Sequence, residues 1–571
     1  MSGIAARLAK AHPDTNTNWS IRLSPLQETM VENIRPALFV LLGAVGLVLL
    51  IACANVANLL LSRLAARERE VAVRTALGAG RGRLIRQFLT ESTLLSLAGG
   101  LLGAGLAALG TPLLLALFGN RIPRAAEVGV DTTVLAFTLG LSLATGLLFG
   151  LLPALHASNP NLQSTLRDGA KGAGDRRGRR TRSALVFAEV ALAMILLISA
   201  GLLIRSLRAL QNVQPGFRSD HALSVQVALP DTTYGTEEKQ AAFYRDLLPR
   251  LAALPGVQNA AAGYPLPLSG DRMRLAFQAE GQPAEVTDLP RANMAFVSPT
   301  YFSTLGIPLR QGRAFDGRDS IGGDKVAVIN RSLAEKIWPG QSVLGRRFSF
   351  DVPVDEKSDW FRVVGVVGDV HHSELKEESG NQAYLPIFQS PNSEAALVIR
   401  TAVNPAGLAA AVARIVREVD PALPVAHVKT LDALLYDSVA EPRAQTFLLS
   451  LLAALALVLS AVGIYGVLSY SVAERTREIG LRMALGAGAG QILRQLLREG
   501  LGIVLAGTVA GLLGAFFLAR VLASLLYGVT PRDPWTFVGV PLVLLAVALF
   551  ATWIPARRAT RVEPVVALRY E

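Results

Sequence analysis

Residues 67–91 and 475–499 repeat one another at a fixed offset of 408. Arg69 and Glu70, Arg74, Ala76 to Gly80, Arg86 and Gln87, and Glu91 recur as Arg477 and Glu478, Arg482, Ala484 to Gly488, Arg494 and Gln495, and Glu499. Each copy follows one long apolar run and precedes another. A basic, helix-forming segment is therefore set twice between two candidate membrane crossings. A chain patterned this way is built from two like halves, and the repeated polar segment reads as a surface that docks a partner.

The apolar runs number seven, at about 38–61, 92–118, 133–155, 184–204, 446–469, 500–526 and 535–554. Each is long enough to cross a hydrocarbon core of about 30 Å. Pro153 and Pro555 stand near the ends of the third and seventh. With 51% hydrophobic and 18% charged residues, the composition is that of a membrane protein. The single cysteine, Cys53, lies inside an apolar run, so there is no disulfide framework. Charge sets the orientation. Segments 63–91, 156–183, 471–499 and 555–571 hold 23 basic and 10 acidic residues, a net +13 against +12 for the whole chain. The basic excess thus falls on one side of the membrane, as cytoplasmic loops require. It reflects topology and contact with anionic lipid headgroups, the run from Lys171 to Arg182 included, and not a nucleic-acid footprint.

Residues 1–36 fall on the opposite side, with no apolar run before residue 37. Residues 4–30 align loosely with 408–435, the end of the polar stretch that separates the fourth and fifth spans. This predicts that 1–36 is the remnant of a first external domain and that the chain is the rear part of a longer protein.

Each half runs span, basic helix, span, short external loop, span. Gly78 and Gly80, with Gly486 and Gly488, break the basic helix and turn the chain into the next span. Acidic Glu70 and Glu478 inside a basic helix suit protein docking better than plain adhesion to headgroups. Asn55 and Asn58 share one face near the inner end of the first span and predict amide pairing between helices. Glu189 sits about one turn inside the fourth span, where it is expected to reach Arg182 or to snorkel. Gly99/Gly103 and Gly507/Gly511 are small-xxx-small pairs in corresponding spans.

Between the fourth and fifth spans, 223–229, 237–254 and 257–263 read as strand, amphipathic helix and strand, a βαβ unit. Further strands are expected at 325–329, 362–370 and 396–400, and a helix at 405–419. The strand-rich middle, about 291–383, is an inserted lobe, and 220–290 with 384–435 form an α/β lobe around it. Asp369, His371 and His372 read as a surface turn and not as metal ligands. Ser269-Gly270-Asp271 lacks the setting of a nucleophile elbow. No G-x-x-x-x-G-K-[ST] occurs, so the chain carries no nucleotide-binding loop of its own. The sequence calls for no catalytic residue, metal or cofactor.

The string from Arg477 to Gln495 and its copy, each followed by two spans, resemble the FtsX-like permease module, and the βαβ-plus-insert domain is similar to the periplasmic core domain of MacB-type transporters. With CANVANLLLSR at 53–63, the doubled module resembles the duplicated permease family of acidobacterial type. The resemblance implies an α-helical membrane protein of about seven transmembrane helices in two FtsX-like repeats, with an α+β periplasmic domain of the MacB core type. Its parts would be the 1–36 remnant, a first module at 37–158, a basic linker at 159–183, and a span and stalk at 184–212. The core domain at 213–440 and a second module at 441–571 would follow. The family implies a permease subunit of a type VII ABC system in the bacterial inner membrane, working with a separate ATPase. A periplasmic adaptor or outer-membrane channel is a further implied partner. Movements passed along stalks near Arg205–Asn212 and Glu441–Phe447 would serve efflux or envelope export, or instead activate a cell-envelope hydrolase. The ATPase-coupling residues would be Arg69, Glu70, Arg74 and Gly78 with Arg477, Glu478, Arg482 and Gly486. Ordinary relatives carry one module and dimerise, so two modules in one chain imply an internal pseudo-dimer.

Overall fold

The computed structural model describes residues 2–12, 23–26, 28, 34–66, 81–118, 128–157, 174–281, 289–352 and 354–560. It divides into a core unit (1–25 and 210–440) and a helical unit (26–209 and 441–571). In the core unit, α1 (Ser2–Ala11) carries the N-terminal segment. Most of the rest of 1–36 lies outside the described residues.

The helical unit contains α2 (Arg35–Ala66), α3 (Arg81–Phe118), α4 (Thr132–Ala157) and α5 (Gly174–Gln211). Among the described residues, six helices are long and apolar enough to cross a membrane, where the sequence predicts seven runs. The third run is α4, apolar along Thr132–Leu147, the part whose side chains are described. The helix itself continues to Ala157.

The core unit is one mixed sheet of 12 strands. Its strands are β1 (Ala222–Ala228), β2 (Val257–Tyr264), β3 (Arg274–Ala276), β4 (Gln278–Ala279), β5 (Arg291–Val297), β6 (Leu309–Gly312) and β7 (Val326–Asn330). They continue as β8 (Arg347–Ser349), β9 (Phe361–Val367), β10 (Gln382–Pro386), β11 (Glu394–Thr401) and β12 (Ala426–Thr430). The order is β12-β1-β11-β2-β5-β10-β7-β9-β8-β4, with β3 beside β5 and β6 beside β9. The helices include α6 (Glu237–Ala252), α7 (Tyr301–Leu305), α8 (Arg331–Ile337), α9 (Ala409–Val419) and α10 (Leu431–Ser438).

The expected βαβ unit is present but split. β1 and β2 run alongside each other with antiparallel β11 between them. The reason is hydrophobic patterning: β11 is buried along almost its whole length and needs a neighbour on both edges. Phe243, Leu247 and Leu251 of α6 and Val412 and Val416 of α9 cover one face of this sheet. The inserted lobe is not a separate sheet. Strand β5 of the insert pairs with β2, Gly263 with Val297 and Tyr264 with Phe296, and β3 and β4, expected in the α/β lobe, pair with β5 and β8 of the insert.

Arg400 closes the α/β lobe. Its buried guanidinium donates to the carbonyls of Thr304, Asp220 and Arg218, tying β11 to the entry of β1 and to α7. A buried cation satisfied by three carbonyls is costly to leave half-paired.

The helical unit is completed by α11 (Ala440–Glu474), α12 (Thr476–Ala484), α13 (Ala489–Leu518) and α14 (Pro534–Ala559). Helix α5 is its axis. Val186, Val190, Met194, Ile198 and Leu202 form a stripe against α11, α13 and α14. Ala193, Leu196, Ala200 and Leu203 form another against α2 and α11. Gly507 and Gly511 let α13 approach α5 closely. A Cβ at Gly511 would lie 2.6 Å from Met194 Cβ and 2.7 Å from the Ala191 carbonyl. The corresponding Gly99 and Gly103 of α3 face open space, with nothing within 4 Å. One small-xxx-small pair is thus a packing surface among the described residues and its twin is not. The two short external loops do match: Asp131 and Asp533 each accept a hydrogen bond from the backbone N–H three residues on, at 2.7 and 2.8 Å, starting α4 and α14.

Candidate functional site

In the second repeat the duplicated segment folds as helix, corner and helix. Helix α12 ends at Ala484, and Gly486 takes φ +97°, a left-handed conformation that favours glycine. Its N–H and that of Ala487 bond back to the carbonyls of Met483 and Arg482 at 3.1 and 2.9 Å. Gly488 then caps α13. One face of α12 is seated: Ile479 packs with Ile492 and Leu496 of α13 and Ala556 of α14.

The other face is open and charged. Glu478 and Arg482 pair at 2.6 Å, one turn apart, with both side chains about half exposed. An exposed pair of this kind stabilises the helix by only about 0.3–0.5 kcal/mol. Arg482 also donates to Gln495 Oε1 at 3.2 Å, and Arg475 meets Glu499 at 3.1 Å. Gln495 and Glu499, which recur in the sequence as Gln87 and Glu91, thus fasten the basic helix of the second repeat to the span that follows. Arg477 lies on α12. In the first repeat, Arg69, Glu70, Arg74 and Gly78 lie outside the described residues.

A further residue of this surface escaped the charge-based reading. Leu485, at the corner itself, is 80% exposed, and Leu481 beside it is 51% exposed. A leucine that bare, at the end of the helix that carries the Glu478–Arg482 pair, is an exposed apolar residue on a polar segment. Its signal in the sequence is the repetition of Leu77 as Leu485.

The intramembrane polar residues meet at a second place. Asn55 of α2 donates to Glu189 Oε1 of α5 at 2.7 Å and to the Leu459 carbonyl of α11 at 3.0 Å. Glu189 is fully buried, and its Oε2 has no hydrogen-bond partner among the described residues. The expectation that Glu189 reaches Arg182 is overturned: the carboxyl turns inward, and the Arg182 guanidinium lies over the Tyr470 ring, 4.2 Å from its centroid. Room for the carboxyl comes from Gly463, where a Cβ would lie 2.3 Å from Glu189 Oε2. Asn55 therefore pairs between helices as expected. Asn58 is buried with both amide atoms unpartnered among the described residues.

In the core unit, a cavity of about 430 Å3 opens beside Arg274 and Arg291 of the β3–β5 ribbon, Lys336 of α8, and His372, Glu374 and Glu377. Its loop is fixed by Asn330, which donates to Asp369 Oδ1 at 2.8 Å and to the Gly380 carbonyl at 2.9 Å. Asn330 Oδ1 also accepts from the N–H of Gln382. Asp369 accepts from the Ser332 N–H and pairs with Arg331. His371 Nδ1 lies 2.9 Å from the Glu377 carbonyl. Asp369 and His371 thus hold the loop, while His372 departs from the expected surface turn. It is buried, its Nε2 has no partner among the described residues, and burial pushes its pKa down to about 4.

That shift predicts a pH dependence. The folded value lies below the ordinary histidine value, so the stabilisation is fully present above about pH 6.5 and is lost as pH falls toward 4. The loss is on the order of 3 kcal/mol. Thermal unfolding of the whole chain from pH 7 to pH 4 measures it, and H372N is expected to flatten the slope.

Fold and composition define a multi-pass membrane protein: six helices long and apolar enough to cross a membrane among the described residues, and a mixed-sheet unit. A model of the FtsX-like permease C-terminal family matches residues 42–162 and again 450–564. A model of the MacB-like periplasmic core domain matches 183–418. The chain thus carries two FtsX-like permease regions flanking a MacB-like periplasmic core domain, and its relatives are MacB- and YknZ-type ABC transporter permeases. It is similar to the uncharacterized ABC transporter permease YknZ of Bacillus subtilis (strain 168), 25% identical over 48% of this chain and 69% of the relative. It is 29% identical to the pyoverdine export ATP-binding/permease protein PvdT of Pseudomonas aeruginosa over 46% of this chain and 40% of that one. The macrolide export ATP-binding/permease protein MacB of Escherichia coli (strain K12) is 27% identical over 48% and 43%. The chain thus spans less than half the length of these last two relatives. The periplasmic region of MacB from Actinobacillus actinomycetemcomitans aligns with 38% of this chain and 92% of its own, at 15% identity and a TM-score of 0.26.

Proposed function

We propose that the chain is the permease subunit of an ABC system in the bacterial inner membrane, taking its ATP-driven movement from a separate ATPase and passing it to the periplasmic core domain for efflux or envelope export. The observation that carries this reading is the corner of α12, an exposed leucine at the end of a charge-paired helix clamped to two spans. An apolar anchor inside a polar rim is how a few residues dominate a protein interface. Arg477, Glu478, Arg482 and Gly486, with Arg69, Glu70, Arg74 and Gly78 in the first repeat, form or border the two docking corners. The long helices α5 and α11 suit transmission, since each runs unbroken past the length of a membrane core. A periplasmic adaptor or outer-membrane channel would complete an export path. Purification from native membranes in mild detergent, with mass spectrometry of what accompanies the chain, tests the proposal. An ABC ATPase in stoichiometric amount is expected, and its absence from a folded preparation contradicts it.

A second reading is favoured by the cavity in the inserted lobe: a regulator that activates an external cell-wall hydrolase without transporting anything. Arg274, Arg291 and Lys336 carry no ion pair among the described residues, so a partner presenting carboxylates would complete them. The two readings part on deletion. Sensitivity to exported compounds supports efflux, whereas a cell-wall defect reproduced by R274E/R291E supports the regulator.

A further inference from the structure

Asn55 and Gly463 stand 408 positions apart, the offset of the repeat, and they meet. A Cβ on Gly463 would lie 2.5 Å from Asn55 Oδ1. Equivalent positions of two repeats come into contact where the axis relating them passes, so this contact marks the junction between the halves. The same offset relates Asn58 to Gly466. The two copies have therefore diverged at their junction, with amides in one and glycines in the other. Into the gap left by Gly463 comes the carboxyl of Glu189, from a third helix, and Asn55 is its donor.

We infer that Glu189 is a pairing key between the repeats, fitting the combination of asparagine on α2 and glycine on α11, so that the two repeats of one chain recognise each other and not the like repeats of two chains. Two α2 helices facing each other would set Asn55 against Asn55, and the side chain in place of Gly463 would occupy the volume of the carboxyl. Two α11 helices would set Gly463 against Gly463, and Glu189 would lose its donor. Each like pairing leaves a buried polar group clashing or unpaired, which is how an interface rejects wrong partners. In apolar surroundings a single polar contact can fix register and partner because few alternatives satisfy it. The surface is thus a recognition surface whose partner is the other repeat of the same chain. The inference concerns pairing within the permease and does not depend on an ATPase.

A double-mutant cycle tests it, read by thermal unfolding of the whole chain in mild detergent. N55G and G463N are each expected to lower Tm. The exchange N55G/G463N restores one asparagine and one glycine around the carboxyl and should recover most of the combined loss. Losses that simply add would overturn the proposal. E189Q keeps an oxygen for Asn55 and should unfold near the unaltered chain, whereas E189L should not; equal Tm for the two contradicts the key. The unaltered chain supplies a test that needs no variant to fold. Cys53, two residues before Asn55, should give no chain-to-chain product with a short membrane-permeant bis-maleimide, which adds one thiol at each end. A Cys53-to-Cys53 dimer would bring like repeats together and overturn the inference.

Discussion

L77D/L485D is expected to abolish stimulation of the partner ATPase while leaving the permease folded. Leu485 is 80% exposed, so a carboxylate there meets water and costs the fold little. In a docked complex the same carboxylate would be buried without a partner. Truncation of an interface anchor typically costs 2 kcal/mol or more, which is about thirtyfold in affinity. Two corners altered together remove both anchors, and either single variant should be milder because the other corner still docks. ATP hydrolysis by the ATPase, with the permease in nanodiscs, provides the readout. Charge reversal at Glu70 and Glu478 is the companion experiment. It also breaks the pair with Arg482, so the local geometry of α12 changes with it. For this reason the leucines give the cleaner result.

G511L is expected to destabilise the helical unit, and G103L, at the equivalent position, is expected to leave it nearly unchanged. Position 511 lies against the Ala191 carbonyl and Met194, so a side chain there must push α13 off α5. Overpacking of this kind typically costs 1–3 kcal/mol. Gly103 has nothing within 4 Å, and a leucine there adds apolar surface facing outward from the described residues. Thermal unfolding in detergent separates the two. Equal losses would mean that the repeats are packed alike and that the difference between α3 and α13 is not real.

Much of this architecture was legible in the chain because it is local. Apolar runs gave the spans, and the pair Gly486 and Gly488 gave the corner, since a left-handed residue and a cap leave a glycine signature. Strands β1, β2 and β11 of the α/β lobe were readable as short runs rich in apolar residues, buried along half or more of their length. The joining of the two lobes into one sheet was not, because it rests on the pairing of β2 and β3 with β5 and of β4 with β8, which no local pattern encodes. Glu189 was singled out correctly as an ionisable group within a span, but its partner was misread. A neighbour on the same helix, Arg182, is visible in the sequence; the gap at Gly463 and the amide of Asn55 come together only when three helices pack. Leu485 was passed over for a different reason. An isolated leucine in a helix reads as core, and its exposure follows from the corner turning it away from Ile479, Ile492 and Leu496. Its duplication was the one available signal.

The central claim is that the duplicated corner receives an ATPase. The most direct measurement places a photoreactive amino acid at position 485 in the chain expressed in native membranes, followed by illumination and mass analysis of the adduct. A covalent product with an ABC ATPase subunit is the predicted result. Adducts with lipid alone, from membranes in which that ATPase is present and active, would contradict the account.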